Sequence, residues 1–299
     1  MILNPPEDFR TLLKSNTPDF RQPVPLVRKN FSAFIDEMLD EEDALPAIGP
    51  VAITPGLQGY WIGGPEAVTD QAILFFHGGD FSFGSTRDCL RLCTRIARAA
   101  QAMVFSVDYR LAPEHVFPAP VDDAVTAYRY LLSRGFPSHR IIPVGISAGG
   151  TLVLDLLLSA RDQSLPLPPA GVCMSPFVNM LFEGESVTKN IDNDWLTPAR
   201  LSAIQALYLA GNNPEDPLAS PVHARLSGLP RLYIQAGTHE LLLSDIASFV
   251  DKARWAGVPV RFEIWEGMFH CWQVFADKVP EGERAINLAG AFIRDAFAR

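Results

Sequence analysis

Short, continuous apolar runs separated by helix-length segments constrain the fold of this chain more than any other feature. Four such runs lie at 72–76 (AILFF), 103–107 (MVFSV), 170–174 (AGVCM) and 232–236 (LYIQA), and a fifth predicted strand at 260–265 (VRFEIW) carries two charged residues. Segments with helical spacing stand between them, at 86–100, 120–134 and 242–256. A strand that is apolar on both faces needs cover on both faces. The pattern therefore predicts an α/β fold, with a mostly parallel sheet between two layers of helices.

Two segments do not follow this alternation. Residues 1–45 resemble one or two amphipathic helices, with Phe31, Phe34 and Ile35 at helical spacing, followed by an acidic run at 40–43. Residues 177–225 are rich in polar residues and proline, with a predicted helix at 198–210. We expect residues 46–299 to form the α/β domain, and residues 1–45 to form N-terminal cap helices to which 177–225 contributes.

Charge and cysteine content exclude several classes of protein. The net charge is −9, which argues against nucleic acid and anionic membranes as partners. No apolar stretch approaches the ~18 residues that span a bilayer, so we expect no stable membrane insertion, and the N-terminus lacks the pattern of a signal peptide. Four sparse cysteines without zinc-site spacing indicate reduced thiols in a cytoplasmic protein, with neither disulfide nor metal.

A G-x-S-x-G sequence occupies residues 145–149, between a predicted strand and a predicted helix. A serine on such a sharp turn projects its hydroxyl away from the sheet, and glycines let the backbone cross closely. Ser147 is therefore the candidate nucleophile. The alternative is a glycine-rich turn with an idle serine, and the strand–turn–helix context argues against it.

Two further motifs also follow predicted strands. Parallel sheets bind ligands at the carboxyl ends of their strands, which is where these motifs fall. The sequence HGGDF at 77–81 has glycines that allow backbone N–H groups to face a cleft, as an oxyanion requires. His270, on a loop after the late strand 260–265, is the candidate general base. A plain turn and a structural histidine are the alternatives, but the order of serine before histidine matches nucleophile-elbow hydrolases.

The chain resembles the hormone-sensitive-lipase-like branch of the α/β-hydrolase fold, the bacterial family IV esterases. The resemblance extends from about residue 25 to the end. It rests on HGGDF (77–81), DYRLAPEHVFPAPVDD (108–123), GISAGG (145–150), SPFVN (175–179) and GMFHCWQVF (267–275). It implies an eight-stranded sheet with a small helical cap, and an esterase without cofactor. It also implies an oxyanion hole built from Gly78, Gly79, Asp80 and Ala148.

The family also implies a structural role for the run at 108–123. In this resemblance Asp108, Arg110, Glu114 and His115 form a polar network that supports the nucleophile turn.

Asp80 departs from the family, which has a third glycine at this position. The backbone N–H survives the change, but a carboxylate beside a forming oxyanion opposes it unless the carboxylate points away or is paired. We expect the Asp80 side chain to turn outward. An inward side chain would indicate low activity or a cationic substrate.

The acid of the triad requires a choice among neighbours. His239 cannot compensate the charge of an imidazolium, whereas Glu240 can. Glu240 also stands 270 − 240 = 30 residues before the base, a spacing similar to that of the family. Asp245 is the second candidate, five residues further on in a predicted helix. A solvated helix-capping role is the alternative for Glu240.

These features together predict a serine carboxylesterase for short- to medium-chain esters. Phe81, Phe83 and Trp195 are the candidates for the substrate pocket, with ordinary core packing as the alternative for each. A lactone hydrolase or a deacetylase of a small natural product is the second hypothesis. A non-hydrolytic small-molecule receptor or a dehydratase on the same fold is the third. The run at 260–265 could form the edge of a homodimer, as in many relatives.

Overall fold

The computed structural model describes residues 5–39, 44–64 and 67–299, so the acidic run predicted at 40–43 lies outside the described residues. Its sheet has eight strands in the order β1-β2-β4-β3-β5-β6-β7-β8. Strands β3 to β8 are parallel, while β2 is antiparallel to both β1 and β4. The strands are β1 (Ala47–Thr54), β2 (Leu57–Ile62), β3 (Val68–Phe76), β4 (Ala102–Asp108), β5 (Ile141–Ile146), β6 (Ala170–Met174), β7 (Arg231–Gly237) and β8 (Val260–Trp265).

Helices cover both faces of this sheet. The α-helices of the described residues are α1 (Pro5–Asn16), α2 (Val24–Met38), α3 (Leu90–Ala100), α4 (Ala119–Ser133), α5 (Ala148–Asp162), α6 (Ser186–Lys189), α7 (Pro198–Leu209), α8 (Leu243–Trp255) and α9 (Pro280–Ala298). One core packs the sheet against α4, α5 and α8, and a second core packs it against α3 and α9. The predicted mostly parallel α/β fold is therefore confirmed.

Strand β3 shows why the apolar runs are continuous. Leu74 and Phe76 belong to the core on one face, and Ile73 and Phe75 belong to the core on the other. All four side chains are completely buried. Because successive side chains of a strand point to opposite faces, a strand covered on both sides needs apolar residues at every position.

Helix α3 begins later than the sequence pattern indicates. The predicted helix starts at residue 86, whereas α3 starts at Leu90. The backbone N–H of Thr86 donates to Asp108 Oδ1 at 2.7 Å, and Ser85 Oγ donates to Asp88 Oδ2 at 2.7 Å. These side-chain bonds fix residues 85–89 in turns that precede the helix.

The N-terminal helices and the 177–225 excursion pack against each other. Lys14 Nζ donates to the carbonyl of Asp192 at 2.8 Å, and the rings of Phe34 and Trp195 are 6.3 Å apart. Phe34 and Trp195 share an apolar cluster with Phe269 and Trp272, which follow β8. No helix of the described chain is both long and apolar enough to cross a membrane.

Candidate active site

Ser147 occupies the single position between β5 and α5. Its backbone has φ 54° and ψ −123°, a left-handed conformation that L-residues rarely adopt. The two flanking glycines are required by contact: a Cβ at Gly149 would lie 2.0 Å from the Phe76 carbonyl oxygen, and one at Gly145 would lie 2.1 Å from the Gly149 oxygen. The turn is therefore strained and tightly crossed, as the G-x-S-x-G pattern predicts.

Ser147, His270 and Glu240 form one chain of hydrogen-bonded side chains. The distance from Ser147 Oγ to His270 Nε2 is 2.9 Å, and the distance from His270 Nδ1 to Glu240 Oε2 is 3.1 Å. The serine follows β5, the glutamate follows β7 and the histidine follows β8. All three are buried. The parallel sheet thus brings three residues that are distant in sequence to one edge, with the separations that proton transfer needs.

The second oxygen of the Glu240 carboxylate fixes its orientation. Oε1 accepts from the backbone N–H of Gly237 at 2.7 Å and from the Ser175 hydroxyl at 2.8 Å. Burial raises the pKa of Glu240, and these two hydrogen bonds oppose that rise because they favour the ionised form. Ser175 was noted only as part of the SPFVN motif, and its bond to the acid is a role that the sequence did not reveal.

Burial lowers the pKa of the His270 imidazole well below its ordinary value, and the nearby Asp194 carboxylate opposes that shift. The imidazole is therefore neutral at neutral pH. A neutral imidazole has the free lone pair that a general base needs, and its other nitrogen can donate to Glu240.

The two other candidates for the acid are directed elsewhere. His239 Nδ1 lies 2.9 Å from Arg10 Nη1, and its backbone N–H donates to the Met268 carbonyl. Asp245 lies in the first turn of α8 and accepts from Asn179 Nδ2 at 3.1 Å. Only Glu240 of these three bonds to His270.

Asp194 is a buried residue of the site that sequence reasoning missed. Its carboxylate accepts from three backbone N–H groups, those of Trp195 at 2.8 Å, Leu241 at 2.9 Å and His270 at 3.0 Å. It thereby joins the loop that carries the glutamate, the loop that carries the histidine and the 177–225 excursion. In the sequence it ends the polar run at 190–194 (NIDND), a composition typical of a solvated loop.

The HGGDF turn lies directly against the serine. A Cβ at Gly78 would be 3.3 Å from the Ser147 Cβ, and a Cβ at Gly79 would be 2.0 Å from the Phe83 carbonyl oxygen. The backbone N–H groups of Gly79, Asp80 and Ala148 have no acceptor within the described ranges. These free donors beside Ser147 suit an oxyanion.

The Asp80 side chain does not turn outward, so that expectation was wrong. Asp80 is buried, and its Oδ2 accepts from Arg200 Nε of α7 at 2.6 Å. The Arg200 guanidinium lies 3.8 Å from the centre of the Phe20 ring and 4.9 Å from that of Trp195. Because the pair is neutral as a whole, it does not oppose an oxyanion as a lone carboxylate would, and the inference of low activity or a cationic substrate loses its premise.

A small cavity of about 40 Å³ borders Ser147 and His270, and we call it the serine cavity. Of the predicted pocket residues, Phe83 and Trp195 line it. Apolar side chains that the sequence did not single out complete it, among them Phe31, Ile35, Val274 and Phe275. The spacing of Phe31 and Ile35 marks one face of a helix but not what that face covers.

Phe81 does not reach the serine cavity, which corrects its assignment to the substrate pocket. Its ring stacks on Tyr208 of α7 with the centres 3.8 Å apart and the planes 6° apart, and Phe177 is 6.3 Å away. This arrangement buries the whole ring. Core packing, the alternative interpretation, describes Phe81.

The run after β4 supports the HGGDF turn mainly through Tyr109. The Tyr109 hydroxyl donates to the His77 carbonyl at 2.8 Å, and the two rings stack with centres 4.2 Å apart. Asp108 acts on the same loop through its bond to the Thr86 N–H.

The single polar network that the resemblance implies is not present as such. Arg110 pairs with Asp123 at 2.8 Å, Glu114 pairs with Arg28 of α2 at 2.7 Å, and His115 is exposed. These are separate interactions, and the one at Glu114 ties α2 to the loop rather than supporting the nucleophile turn.

Comparisons with known proteins agree with this fold and site. A family profile described as the alpha/beta hydrolase fold matches residues 73–274. An acetyl-hydrolase of Streptomyces hygroscopicus is 41% identical over 261 residues, covering 85% of this chain and 87% of the relative. Esterase LipU of Mycobacterium tuberculosis is 35% identical, covering 78% and 80%.

Solved structures give the same result. An esterase from the bacterial hormone-sensitive lipase family superposes with a TM-score of 0.94 at 39% identity, over 99% of both chains. EstE5, soaked with p-nitrophenyl butyrate, superposes with a TM-score of 0.93 at 35% identity, over 99% of this chain and 100% of EstE5. This chain belongs to the α/β-hydrolase fold family, and within it to the hormone-sensitive-lipase-like branch. It is a carboxylic-ester hydrolase, as its esterase relatives and structural neighbours indicate.

Proposed function

We propose that this protein is a serine carboxylesterase that hydrolyses short- to medium-chain esters through an acyl-enzyme on Ser147. The observation that carries the proposal is the buried chain from Ser147 through His270 to Glu240, at 2.9 and 3.1 Å. An activated nucleophile needs a base within hydrogen-bond distance and a third group that orients the base. All three groups are present beside a cavity.

The first half of the reaction forms the acyl-enzyme. His270 Nε2 takes the Ser147 proton as Oγ attacks the ester carbonyl, and Glu240 stabilises the imidazolium. The tetrahedral oxyanion accepts from the N–H groups of Gly79, Asp80 and Ala148, and the N-terminus of α5 favours the same negative charge. His270 then protonates the leaving alkoxide, which departs as the alcohol.

The second half repeats these roles with water. His270 removes a proton from water, and the hydroxide attacks the acyl carbonyl. The second oxyanion collapses, the carboxylic acid leaves, and His270 returns the proton to Ser147 Oγ. The protein needs no cofactor for either half.

Short and medium acyl chains fit this site better than long ones. The serine cavity is small, and large rings enclose it, including Phe31, Phe83, Trp195 and Phe275. We infer that residues 1–45 and 177–225 act together as its cap, since Lys14, Phe34 and Trp195 join the two segments.

We also propose that the protein is cytoplasmic and forms a homodimer. All four cysteines, at 89, 93, 173 and 271, are buried free thiols, which favours a cytoplasmic location. Among the described residues, strand β8 pairs with β7 alone and exposes half of Ile264, which favours a homodimer through this edge.

The test is hydrolysis of p-nitrophenyl esters across acyl length by wild type and Ser147→Ala. We expect kcat/KM to be highest for acyl chains of about two to eight carbons, and Ser147→Ala to lose about 10⁴-fold or more. Ser159→Ala, at a buried serine within α5, is the matched control and should remain active. Comparable activity in Ser147→Ala and wild type would refute the proposal.

A further inference from the structure

Arg200 is a buried cation with incomplete hydrogen bonding. Its Nε donates to Asp80, and its guanidinium packs against the Phe20 and Trp195 rings. Its Nη1 is buried and has no hydrogen-bond partner among the residues that the structure describes. Buried donors nearly always have an acceptor, so an unpartnered one needs an explanation.

Arg200 lies at the border of two cavities. It lines the serine cavity together with Ser147 and His270. It also lines a second cavity of about 430 Å³, the outer cavity, which lies between the α1–α2 connection and the start of α7. Trp195 and Arg200 border both cavities, so the two cavities adjoin at these side chains.

The sizes of the two cavities indicate how an ester is accommodated. A site for a small organic molecule typically has a volume of about 300–1,000 Å³. The serine cavity, at about 40 Å³, is too small for both halves of an ester, whereas the outer cavity is large enough for one of them. The outer cavity therefore offers room, on the far side of Arg200, for the part of an ester that the serine cavity does not hold.

We propose that Arg200 recognises a neutral acceptor oxygen of the substrate, a carbonyl, ether or hydroxyl group, on the part that extends from the serine cavity toward the outer cavity. The inference rests on the proposed esterase function and adds a substrate class to it, namely oxygenated rather than plain alkyl esters. The planar guanidinium suits this task, because one nitrogen holds Asp80 while another donates to the substrate.

The surrounding charges select a neutral acceptor over an anion. Asp80 already balances the Arg200 cation. Asp88 also lines the serine cavity, and Asp194 and Glu240 both bond to His270. A substrate carboxylate would add negative charge to a buried region that already holds several carboxyl groups.

The experiment compares pairs of esters in which one methylene is replaced by an ether oxygen. In the acyl arm, p-nitrophenyl 3-methoxypropanoate is compared with p-nitrophenyl pentanoate. In the alcohol arm, 2-methoxyethyl butyrate is compared with butyl butyrate. Each kcat/KM is divided by the rate constant of alkaline hydrolysis, which removes the difference in intrinsic reactivity, and the methoxy-to-alkyl ratio is the readout.

The variants isolate Arg200 from its partner. Asp80→Asn/Arg200→Met removes the cation without leaving a buried carboxylate alone, and Asp80→Asn is its matched control, since it retains the guanidinium. Effects on the oxyanion are common to both esters of a pair and cancel in the ratio. Arg200→Lys keeps a cation for Asp80 but lacks the second nitrogen of the fork, so it provides an independent variant if the double variant does not fold.

In wild type and in Asp80→Asn we expect the methoxy ester to be favoured in at least one arm, and that arm identifies which half of the ester meets Arg200. In the double variant and in Arg200→Lys the ratio should fall by about tenfold, the effect of one hydrogen bond from a charged donor. An equal ratio in all four proteins in both arms would overturn the inference while leaving the esterase function intact. Absence of hydrolysis of all four esters by wild type would instead refute the proposed function, and the inference with it.

Discussion

The two carboxylate oxygens of Glu240 bond to different partners. Oε2 faces His270, while Oε1 is held by Gly237 and Ser175. The adjacent His239 bonds to Arg10 instead. The requirement for a negative charge beside an imidazolium selected Glu240 from the sequence, and the geometry agrees, because the loop after β7 directs this one side chain toward His270.

Replacing the Glu240 carboxylate should reduce turnover strongly. Glu240→Gln keeps the shape but removes the charge and favours the wrong tautomer of His270, so we expect kcat to fall by about 10⁴-fold. Asp245→Asn is the control, since Asp245 bonds to Asn179 and not to the imidazole, and it should lose less than about tenfold. Steady-state kinetics on p-nitrophenyl butyrate measure both, and equal losses would contradict the assignment.

The acidic side of the pH profile should report the buried imidazole. Because burial lowers the pKa of His270, the base remains neutral at pH values where free histidine, with a pKa near 6.5, is half protonated. We therefore expect kcat/KM to stay constant as pH falls through about 6.5 and to decline only at lower pH. Asp194→Asn removes a charge that opposes this shift, so its decline should move to still lower pH. A wild-type midpoint above about pH 7 would contradict this account.

At the residue scale, the sequence indicates candidates where the chemistry is local and misses contacts whose partner is distant in the chain. Ser147 was identifiable because its glycines surround it, and His270 because it follows a late strand. Asp80 was misplaced because its partner Arg200 lies 120 residues away on another element. Asp194 was missed for the same reason, since a buried role for an aspartate depends on donors that only the fold supplies.

At the scale of elements, the Arg28 side chain bonds helix α2 to the residue that follows the HGGDF turn. Arg28 Nε donates to the Ser82 carbonyl at 2.8 Å, and its Nη2 donates to the Ala112 carbonyl at 3.0 Å and pairs with Glu114. The amphipathic spacing predicted this helix but not its attachment. Most strands were predictable because their apolar runs are nearly continuous, whereas the packing of the N-terminal helices on the 177–225 segment depends on contacts between distant parts of the chain.

Two arginines bond between α2 and the rest of the protein and allow a matched test of that attachment. Arg28 lies in α2, and Arg87 lies outside α2 but pairs with a residue of this helix. Arg28→Met removes hydrogen bonds to two carbonyl groups, so we expect the free energy of unfolding to fall by about 2 kcal/mol. Arg87→Met breaks an ion pair with Asp36 of the same helix whose side chains are 63% and 52% exposed, and it should lose about 0–1 kcal/mol. Denaturant unfolding of each variant gives these values, and equal losses would argue that α2 is not held through Arg28.

At the scale of the whole molecule, the sheet ends in two unlike edges. Within the described part of the chain, β1, antiparallel to β2, forms one edge, and β8, hydrogen-bonded to β7 alone, forms the other. Ile264 of β8 is 51% exposed. An open strand with exposed apolar side chains is a template for pairing with a second copy.

We therefore expect a mass of two chains in sedimentation equilibrium at micromolar concentration. Ile264→Lys should shift the protein toward the mass of one chain, because a charged side chain opposes edge pairing. Exposed Trp255 lies outside the strand, so Trp255→Ala should leave the dimer in place. A wild-type protein with the mass of one chain would exclude the homodimer.

The central claim is that His270 and the surrounding turn activate Ser147 as a nucleophile. Reaction with a fluorophosphonate probe, followed by intact-mass and peptide mass spectrometry, tests it most directly, since the reagent modifies activated serines whatever the natural ester. The account predicts one adduct on Ser147 in wild type, greatly slowed labelling in His270→Ala, and none in Ser147→Ala. A folded wild-type protein that forms no adduct, or an adduct that persists in Ser147→Ala, would contradict it.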